Sequence, residues 1–330
     1  MIESAMSNAL NLHTSSCLML PSDQFSGIFD ISSDVRSIID NCHIYIIGTR
    51  PRVFFNSRSV IHFGDVITGR LKWREAGEEK ECSFRLRARA PYGERFVLDQ
   101  YPHRKLISAK GFVNGKKFIP IMAVVHEGEG VDPVLRDYEV LYVGQSYASG
   151  KRNAFDRLRR HETLQRILAD HAENRPDDEL MIFMFQYEEP LLMTTFSPQY
   201  SPQAEVENSA LKFASLVMDT YSREEIVNVA EAGLIRYFQP EYNNHYVDRF
   251  PENRQEILRK CYQRDLDALT VEVNTEELNA RLRIAKSGEV GSHHIAKYDL
   301  HDDSKRRSFF LMSFKDGETV DFREPSGALF

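Results

Sequence analysis

The chain has 330 residues, of which 42% are hydrophobic, and it carries a formal net charge of −7 at pH 7. This length accommodates two or three domains. The longest apolar runs are far too short to span a bilayer, and the first residues lack the basic segment of a secretory signal, so we expect a cytoplasmic protein with no membrane partner. The four cysteines are widely spaced and form no CxxC pair, which argues against a disulfide framework or a zinc cluster.

The negative net charge disfavours nucleic-acid binding, but the charges are unevenly distributed along the chain. Basic residues concentrate at 70–117 and 151–160, whereas acidic residues collect at 127–139, 172–189 and 299–324. Local basic patches can therefore bind an anionic partner.

The first 113 residues are predicted to form a β-rich N-terminal domain. Residues 1–48 contain a possible helix near 33–40 and the apolar run HIYIIG, but they indicate no function. From about 53 to 113, short alternating runs separated by turn residues predict an antiparallel β region. This domain is a candidate nucleic-acid-binding or sensor domain.

Two runs within this region predict a cationic strand pair. GRLKWRE (69–75) and CSFRLRARA (82–90) each alternate basic with apolar residues, and the intervening EAGEEKE is a plausible hairpin connection. Like charges across a strand pair repel each other, so an unmixed cationic face suggests an anionic partner. A solvated outer face explains the pattern equally well. The basic residues are Arg70, Lys72, Arg74, Arg85, Arg87 and Arg89.

Residues 114–250 are predicted to form a small mixed sheet flanked by helices. Their last predicted helix begins with a capping box, Ser222 and Glu225, and ends near Gln239 because Pro240 cannot continue it. Its core-facing stripe contains a carboxylate, Glu231, which loses hydration unless a cation or a donor takes the place of water. On the helix pattern alone, a buried salt bridge to Arg157 explains this carboxylate somewhat better than a metal ion does. The stripe consists of Val227, Glu231, Leu234 and Phe238.

Three more polar residues occupy comparable positions. Arg157 and His161 lie on the core-facing stripe of a helix predicted from Asn153, and Tyr142 lies at the end of a predicted strand just before Gly144. Together with one carboxylate these residue types can cleave a phosphodiester. The carboxylate binds a divalent cation, the arginine stabilises phosphoryl oxygens, and tyrosine or histidine accepts a proton from water.

These motifs resemble those of the GIY-YIG nuclease superfamily, which includes homing endonucleases, some restriction enzymes and the N-terminal nuclease of UvrC. LYVGQS (141–146) is similar to the second signature, YIG or YVG, and RLRRH (157–161) is similar to the arginine that a histidine follows four residues later. EAGLIRYFQPEYN (231–243) matches the UvrC-type pattern E-x-x-L-I-[KR]-x-x-x-P-x-Y-N at each specified position. The resemblance covers roughly residues 118–245.

The resemblance implies a role for five residues and a single Mg²⁺ or Mn²⁺ ion. Glu231 would ligate the ion, Arg157 would stabilise phosphate, and Tyr142 would be a catalytic tyrosine. His161 would transfer a proton or orient the reactants, and Asn243 would close the site as a supporting or phosphate-contacting residue.

One departure concerns the first signature, GIY. The strand before YVG is predicted to be IPIMAVV, with Met122 or Ala123 where the tyrosine belongs. A second departure is the length of the loops before YVG and between Tyr142 and Arg157, and long loops near a site commonly determine substrate choice.

The sequence thus predicts an α/β (α+β) fold in three parts: a β-rich domain at 1–113, a GIY-YIG-like nuclease domain at 114–250, and a C-terminal helix with strands at 251–330. The expected function is a metal-dependent endonuclease of DNA, with RNA as an alternative substrate, in restriction or phage defence; a homo-oligomer is possible. A lapsed nuclease fold that only binds nucleic acid, favoured by the missing first tyrosine, is the alternative, and a sensor role of the N-terminal region is a third. Besides the cationic strand pair, the predicted nucleic-acid contacts are Lys151, Arg152 and Arg160.

Overall fold

The computed structural model describes residues 6–22, 33–88, 95–108, 118–146, 162–196, 221–243, 256–263 and 266–300. They form a strand-rich α+β fold with several sheets, which confirms the predicted mixed class. The strands are β1 (Met6–Leu12), β2 (Thr14–Pro21), β3 (Ile44–Pro51), β4 (Phe54–Phe55), β5 (Ile61–Phe63), β6 (Val66–Glu75), β7 (Glu78–Arg87), β8 (Phe96–Leu98), β9 (Lys105–Ser108), β10 (Phe118–Pro120), β11 (Asp137–Gln145), β12 (Asp178–Tyr187), β13 (Leu191–Phe196), β14 (Ala268–Asn274), β15 (Arg281–Arg283), β16 (Val290–Gly291) and β17 (His293–Asp299). The α-helices are α1 (Ser33–Asn41), α2 (Ile121–Glu127), α3 (Glu162–Asn174), α4 (Arg223–Phe238) and α5 (Glu256–Gln263), and short 3-10 helices lie at Pro133–Arg136 and Glu276–Leu278.

The central sheet has six strands in the order β16-β15-β11-β3-β12-β2. β3 pairs antiparallel with both β11 and β12, whereas β11 pairs parallel with β15 only at residues 137–139. The middle strands β3 and β12 are apolar and buried along nearly their whole length, which is expected of strands that are covered on both faces.

A second sheet, in the order β13-β1-β14-β17, is joined to the central sheet by a bent ribbon. β1 and β2 follow each other with only His13 between them, and they pair with β13 and β12 respectively. At the bend, the backbone N–H of Glu188 donates to the carbonyl of His13 at 3.2 Å. The bent ribbon therefore contributes the pair β1–β13 to the second sheet and the pair β2–β12 to the central sheet.

Helix α4 packs against both sheets, which explains why it is buried nearly all round. Its stripe residues Val227, Leu234 and Phe238 are buried, and on another side the Tyr298 hydroxyl of β17 donates to the Gly233 carbonyl at 2.6 Å. The capping box at Ser222 and the end at Phe238 confirm the predicted helix. A helix in contact with apolar surface on several sides must itself be apolar on those sides.

The opposite face of the central sheet is covered by α1 and α3. Ile39 of α1 and Leu164 and Ile167 of α3 form one core with Tyr45 and Ile182 of the sheet. The predicted helix near residues 33–40 is confirmed.

A β-rich unit is inserted between the neighbouring strands β3 and β11. It contains β4–β10 and α2 and has its own core, which includes Trp73, Phe84, Leu106 and Val124. Strands from 1–113, 114–250 and 251–330 all belong to the central sheet, so the structure differs from the predicted division into three consecutive domains. The reason is that β3 pairs with β11, and the whole inserted unit lies between these two strands in the chain.

Two further local predictions were wrong. IPIMAVV is not one strand, because β10 ends at Pro120 and α2 begins at Ile121. The connection between β6 and β7 is not EAGEEKE but the two residues Ala76 and Gly77, both with positive φ, so β7 already begins at Glu78. A two-residue turn with positive φ matches the twist of the flanking strands and allows longer pairing.

Within the described ranges, none of the helices is long and apolar enough to cross a membrane.

Candidate active site

The paired strands β3 and β11 bring two tyrosines together. Tyr45 of β3 lies opposite Gly144 of β11, and Tyr142 lies two residues earlier on the same face. The ring centroids of Tyr45 and Tyr142 are 6.0 Å apart. A Cβ atom at Gly144 would lie 2.6 Å from the hydroxyl oxygen of Tyr45 and 2.6 Å from the Tyr142 ring. Glycine at the end of the YVG motif therefore makes room for both rings.

Tyr45 corrects the prediction for the first signature. The strand next to β11 is β3 rather than IPIMAVV, and Met122 and Ala123 lie in helix α2. The run HIYIIG contains His-Ile-Tyr where the family has GIY. Because a long insertion separates this run from YVG in the chain, the pairing of the two strands is not evident from the sequence. Tyr45 thus occupies the strand position at which the resemblance requires a tyrosine.

Glu231 lies half-buried on α4 and is bound by the last residue of β11. Gln145 Nε2 donates to Glu231 Oε2 at 2.8 Å and to Asn228 Oδ1 at 2.7 Å. Asn228 and Glu231 are three residues apart and therefore neighbours on one side of the helix. One partner of this carboxylate is thus an amide donor. Sequence reasoning identified neither Gln145 nor Asn228.

The tyrosines and Glu231 lie on different sides of β11. Tyr45 and Tyr142 belong to the face that α1 and α3 cover, whereas Val143 packs in the core that contains α4. Gln145, two residues beyond Val143, shares its face. The structure therefore places the predicted residues Tyr142 and Glu231, together with Tyr45, around the end of one strand, with the tyrosine pair and the carboxylate on opposite faces.

Asn243 holds the free edge of β11. Its Nδ2 donates to the Val143 carbonyl at 2.9 Å, and its Oδ1 accepts from the Val143 N–H at 2.9 Å. The N–H of Tyr242 donates to the Leu141 carbonyl at 3.1 Å, and the Tyr242 hydroxyl donates to Asp170 of α3 at 3.0 Å. Because both ends of the Asn243 amide bond to the backbone of β11, these contacts favour the supporting role among the two that the resemblance implies.

His43, the residue before β3, lies at this end of the sheet, and its surroundings favour the neutral form. Burial lowers the pKa of His43, and the nearby Arg223 guanidinium at the start of α4 lowers it further. The carbonyl of His43 accepts from the N–H of Ser146 at 2.8 Å, so this residue lies beside the end of β11.

Several predicted residues lie outside the described residues. Among the residues that are described, no group of three or more His, Cys, Asp or Glu could hold a metal ion. The cation site inferred from sequence relies on one carboxylate and does not require such a group. The predicted residues outside the described ranges are Arg89, Lys151, Arg152, Arg157, Arg160 and His161.

The cationic strand pair alternates as predicted, but its face is not purely basic. Ile67, Leu71, Trp73, Phe84 and Leu86 are buried, and the basic residues lie on the other face. Because β7 begins at Glu78, Glu79 and Glu81 lie on that face opposite Arg74 and Lys72. Arg70 pairs with Glu81 at 3.0 Å and Lys72 pairs with Glu79 at 2.5 Å. The prediction of an unmixed cationic face was therefore wrong for this half of the strand pair.

A cavity of about 580 Å³ lies at the far end of the central sheet. Its lining includes Arg50 at the end of β3, Asp137 and Glu139 at the start of β11, and the turn residues Ala76 and Gly77. Because β3 and β11 are antiparallel, this cavity and the tyrosine pair lie at opposite ends of the two strands. The cavity is therefore separate from the candidate active site.

No family model, curated protein or solved structure matches the chain. The resemblance to the GIY-YIG superfamily rests on the sequence motifs.

Proposed function

We propose that this chain is a divalent-metal-dependent endonuclease that hydrolyses phosphodiester bonds of DNA at the end of β11. One observation carries the proposal: the sheet brings Tyr45 beside Tyr142, and the same strand end holds Glu231 through Gln145. A restriction or phage-defence role suits an inserted β-rich unit on a compact nuclease, by analogy with enzymes that combine cleavage with recognition.

The donor set at Glu231 fits Mg²⁺ or Mn²⁺. Carboxylate and amide oxygens are the ligands that these ions prefer, and Mg²⁺ commonly binds through one or two carboxylates while it keeps several waters. Gln145 Oε1 is buried, and within the described part of the chain no donor bonds to it, so an acceptor oxygen beside the carboxylate is left unsatisfied there. When bound, the ion would neutralise the charge that develops on the leaving oxygen.

The other residues would orient the reacting groups. Tyr142, which is partly exposed, would position the attacking water through its hydroxyl, and the buried Tyr45 would support the Tyr142 ring. Arg157 would act on the phosphoryl oxygens and His161 in proton transfer or orientation. Asn243 would act indirectly, because its amide fixes the backbone of Val143 between the two sides of the site.

Part of the inserted unit would contact the nucleic acid. On one face, Phe63 of β5, Val66 of β6 and Arg87 of β7 lie side by side, and Ile61, Thr68 and Arg85 form the next row. Phe63 is 86% exposed, and Ile61 is 64% exposed. Exposed apolar side chains beside arginines can contact bases and phosphates together. Arg85 has one long contact of 3.9 Å to Glu129, so it is less neutralised than Arg70 or Lys72.

The test of catalysis is cleavage of supercoiled plasmid with and without Mg²⁺ by Glu231→Gln. We expect this change to abolish cleavage while the fold and most of the DNA binding persist, because it removes the charge of the ligand at nearly constant shape. Glu224→Gln is the matched control, since Glu224 lies exposed in the first turn of the same helix. Full cleavage by Glu231→Gln would refute the metal assignment.

A protein that only binds nucleic acid is the second candidate. The position of the tyrosines and Glu231 on opposite faces of β11 favours it, whereas the presence of Tyr45 on the strand next to YVG weighs against it. The plasmid assay separates the two, since this candidate predicts a gel shift of linear or supercoiled DNA without any product in Mg²⁺ or Mn²⁺. RNA in the same assay tests the alternative substrate.

A further inference from the structure

The nitrogen and the oxygen of the Gln145 side-chain amide have very different surroundings. Both hydrogen bonds that its Nε2 can donate are made, to Asn228 Oδ1 at 2.7 Å and to Glu231 Oε2 at 2.8 Å. Its Oε1 is buried and accepts none from any residue that the structure describes. A buried acceptor without a donor destabilises the fold relative to a satisfied one, so this oxygen needs an explanation.

The orientation of the amide is fixed by its neighbours. If the group were rotated to exchange oxygen and nitrogen, Oε1 would face the oxygens of Asn228 and Glu231, and neither of these can donate when the carboxylate is ionised. Exchanging the positions of oxygen and nitrogen would therefore still leave the amide oxygen without a hydrogen-bond donor. Oε1 thus points away from the two acceptors. It is attached to the same carbon as Nε2, which donates to the carboxylate.

We propose that Gln145 Oε1 is a second protein oxygen for the divalent cation that Glu231 binds, so that one side chain both ligates the ion and holds the carboxylate ligand. This inference rests on the proposed function. A cation needs no hydrogen from its ligands, so it satisfies an acceptor that has no donor. Amide oxygens and carboxylates are ordinary ligands of Mg²⁺ and Mn²⁺.

Asn228 has a supporting part in this arrangement. By accepting the second hydrogen of Nε2, it fixes the rotation of the Gln145 amide and hence the direction of Oε1. Groups that orient metal ligands in this way typically change metal affinity 10–100-fold when they are removed. Asn228 is thus a positioning residue and not itself a ligand.

The experiment measures Mn²⁺ affinity of the full chain by electron paramagnetic resonance titration, without DNA. Gln145→Met keeps the length of the side chain but removes both the donor and the acceptor, and we expect about 10–100-fold weaker binding. Gln186→Met is the matched control, because Gln186 also donates through Nε2 to a carboxylate, Glu188, but its Oε1 accepts from Ser16. This control should bind Mn²⁺ like the parent.

A direct readout separates a ligand from a mere hydrogen-bond donor. In protein that carries glutamine labelled with ¹³C at Cδ, electron-nuclear double resonance should detect a ¹³C coupling to bound Mn²⁺ that disappears in Gln145→Met. Weaker binding of Gln145→Met without any coupling in the parent would overturn the ligand assignment, because Gln145 would then only hold Glu231.

The outcomes also distinguish this inference from the proposed function. If the parent binds Mn²⁺, Glu231→Gln does not, and Gln145→Met binds like the parent, the inference fails and the proposed function stands. If the parent itself binds no Mn²⁺ and cleaves no DNA, the proposed function fails, and the inference fails with it.

Discussion

At the scale of single residues, Gly144 has the narrowest tolerance in the candidate active site. Its backbone lies under the rings of Tyr45 and Tyr142, and an added Cβ would approach both to 2.6 Å, well inside contact distance. Tyr45 is fully buried and Tyr142 packs against the same core, so neither ring can move without disturbing its neighbours.

We therefore expect Gly144→Ala to destabilise the protein by about 1–3 kcal/mol through overpacking, and to lower cleavage by displacing the tyrosines. Urea unfolding followed by circular dichroism measures the first effect. Gly291→Ala is the control, because a Cβ there meets its nearest atom at an ordinary 3.5 Å. Equal stability of the two variants would show that the rings are not held as the structure has them.

The sequence predicted some residues of the site and missed others for physical reasons. Glu231 stood out because a carboxylate on an apolar helix stripe is unusual, and Tyr142 and Asn243 followed from their motifs. Gln145 and Asn228 are ordinary polar residues whose importance depends on a contact between a strand and a helix far apart in the chain. Such a contact leaves no periodic pattern in either segment.

At the scale of elements, local patterns predicted what local forces determine. Helix α4 was predicted nearly to the residue, because its capping box and the proline after it are coded in adjacent positions. Strand β11 was found for a similar reason, since a long apolar run is buried wherever it pairs. The partner of β11 was assigned wrongly, because pairing across the insertion depends on tertiary packing, and Tyr45 was lost with it.

The β6–β7 hairpin shows how one element changes a functional prediction. Its short turn extends the pairing and brings Glu79 and Glu81 onto the basic face, so that only Arg85 and Arg87 lie beyond these two carboxylates on β7. Each phosphate contact contributes about 0.9 to the slope of log K against log salt for duplex DNA. Arg85→Ala with Arg87→Ala should then lower the magnitude of this slope by up to roughly 1.8.

The matched control is Arg70→Ala with Lys72→Ala, which removes two cations already paired with carboxylates. We expect a smaller change of slope from this pair, because exposed ion pairs attract phosphate less than uncompensated cations do. Fluorescence anisotropy of a labelled duplex across a salt titration measures both slopes. A larger change in the control, or none in either variant, would mean that this face does not bind DNA.

At the scale of the whole molecule, buried polar groups connect the inserted unit to the central sheet. Arg50 of β3 is fully buried and pairs with Glu179 of β12 at 2.9 Å, and Arg104 of the inserted unit contacts the same carboxylate. Arg50 also lies over the Tyr138 ring of β11, with 5.4 Å to its centroid. Removing one partner from such a buried network leaves an uncompensated charge, so the network specifies how the two units fit together.

His126 of α2 connects three parts of the chain in its neutral form. Its Nδ1 lies 3.1 Å from the Asn279 carbonyl, which can only accept, so Nδ1 carries the proton and Nε2 accepts from the Tyr138 hydroxyl at 2.9 Å. Burial first, and then the positive charge of Arg50, lower the pKa of His126 from 6.5 to about 4. The folded protein therefore excludes a proton that the unfolded chain binds readily below pH 6.5.

Stability should consequently fall as the pH decreases through this window. Between pH 7.5 and 5, the lowered pKa of His126 predicts a loss of about 2 kcal/mol in the free energy of unfolding, since each pKa unit corresponds to about 1.4 kcal/mol. Burial also lowers the pKa of His171 and His294, so the parent should lose more than this. His126→Asn isolates the contribution of His126, because its amide can still donate to Asn279 but does not titrate. Urea unfolding at several pH values should show a shallower decline for this variant, by about 2 kcal/mol over the same range. Parallel curves for the two proteins would mean that His126 is protonated as easily in the folded chain as in the unfolded one.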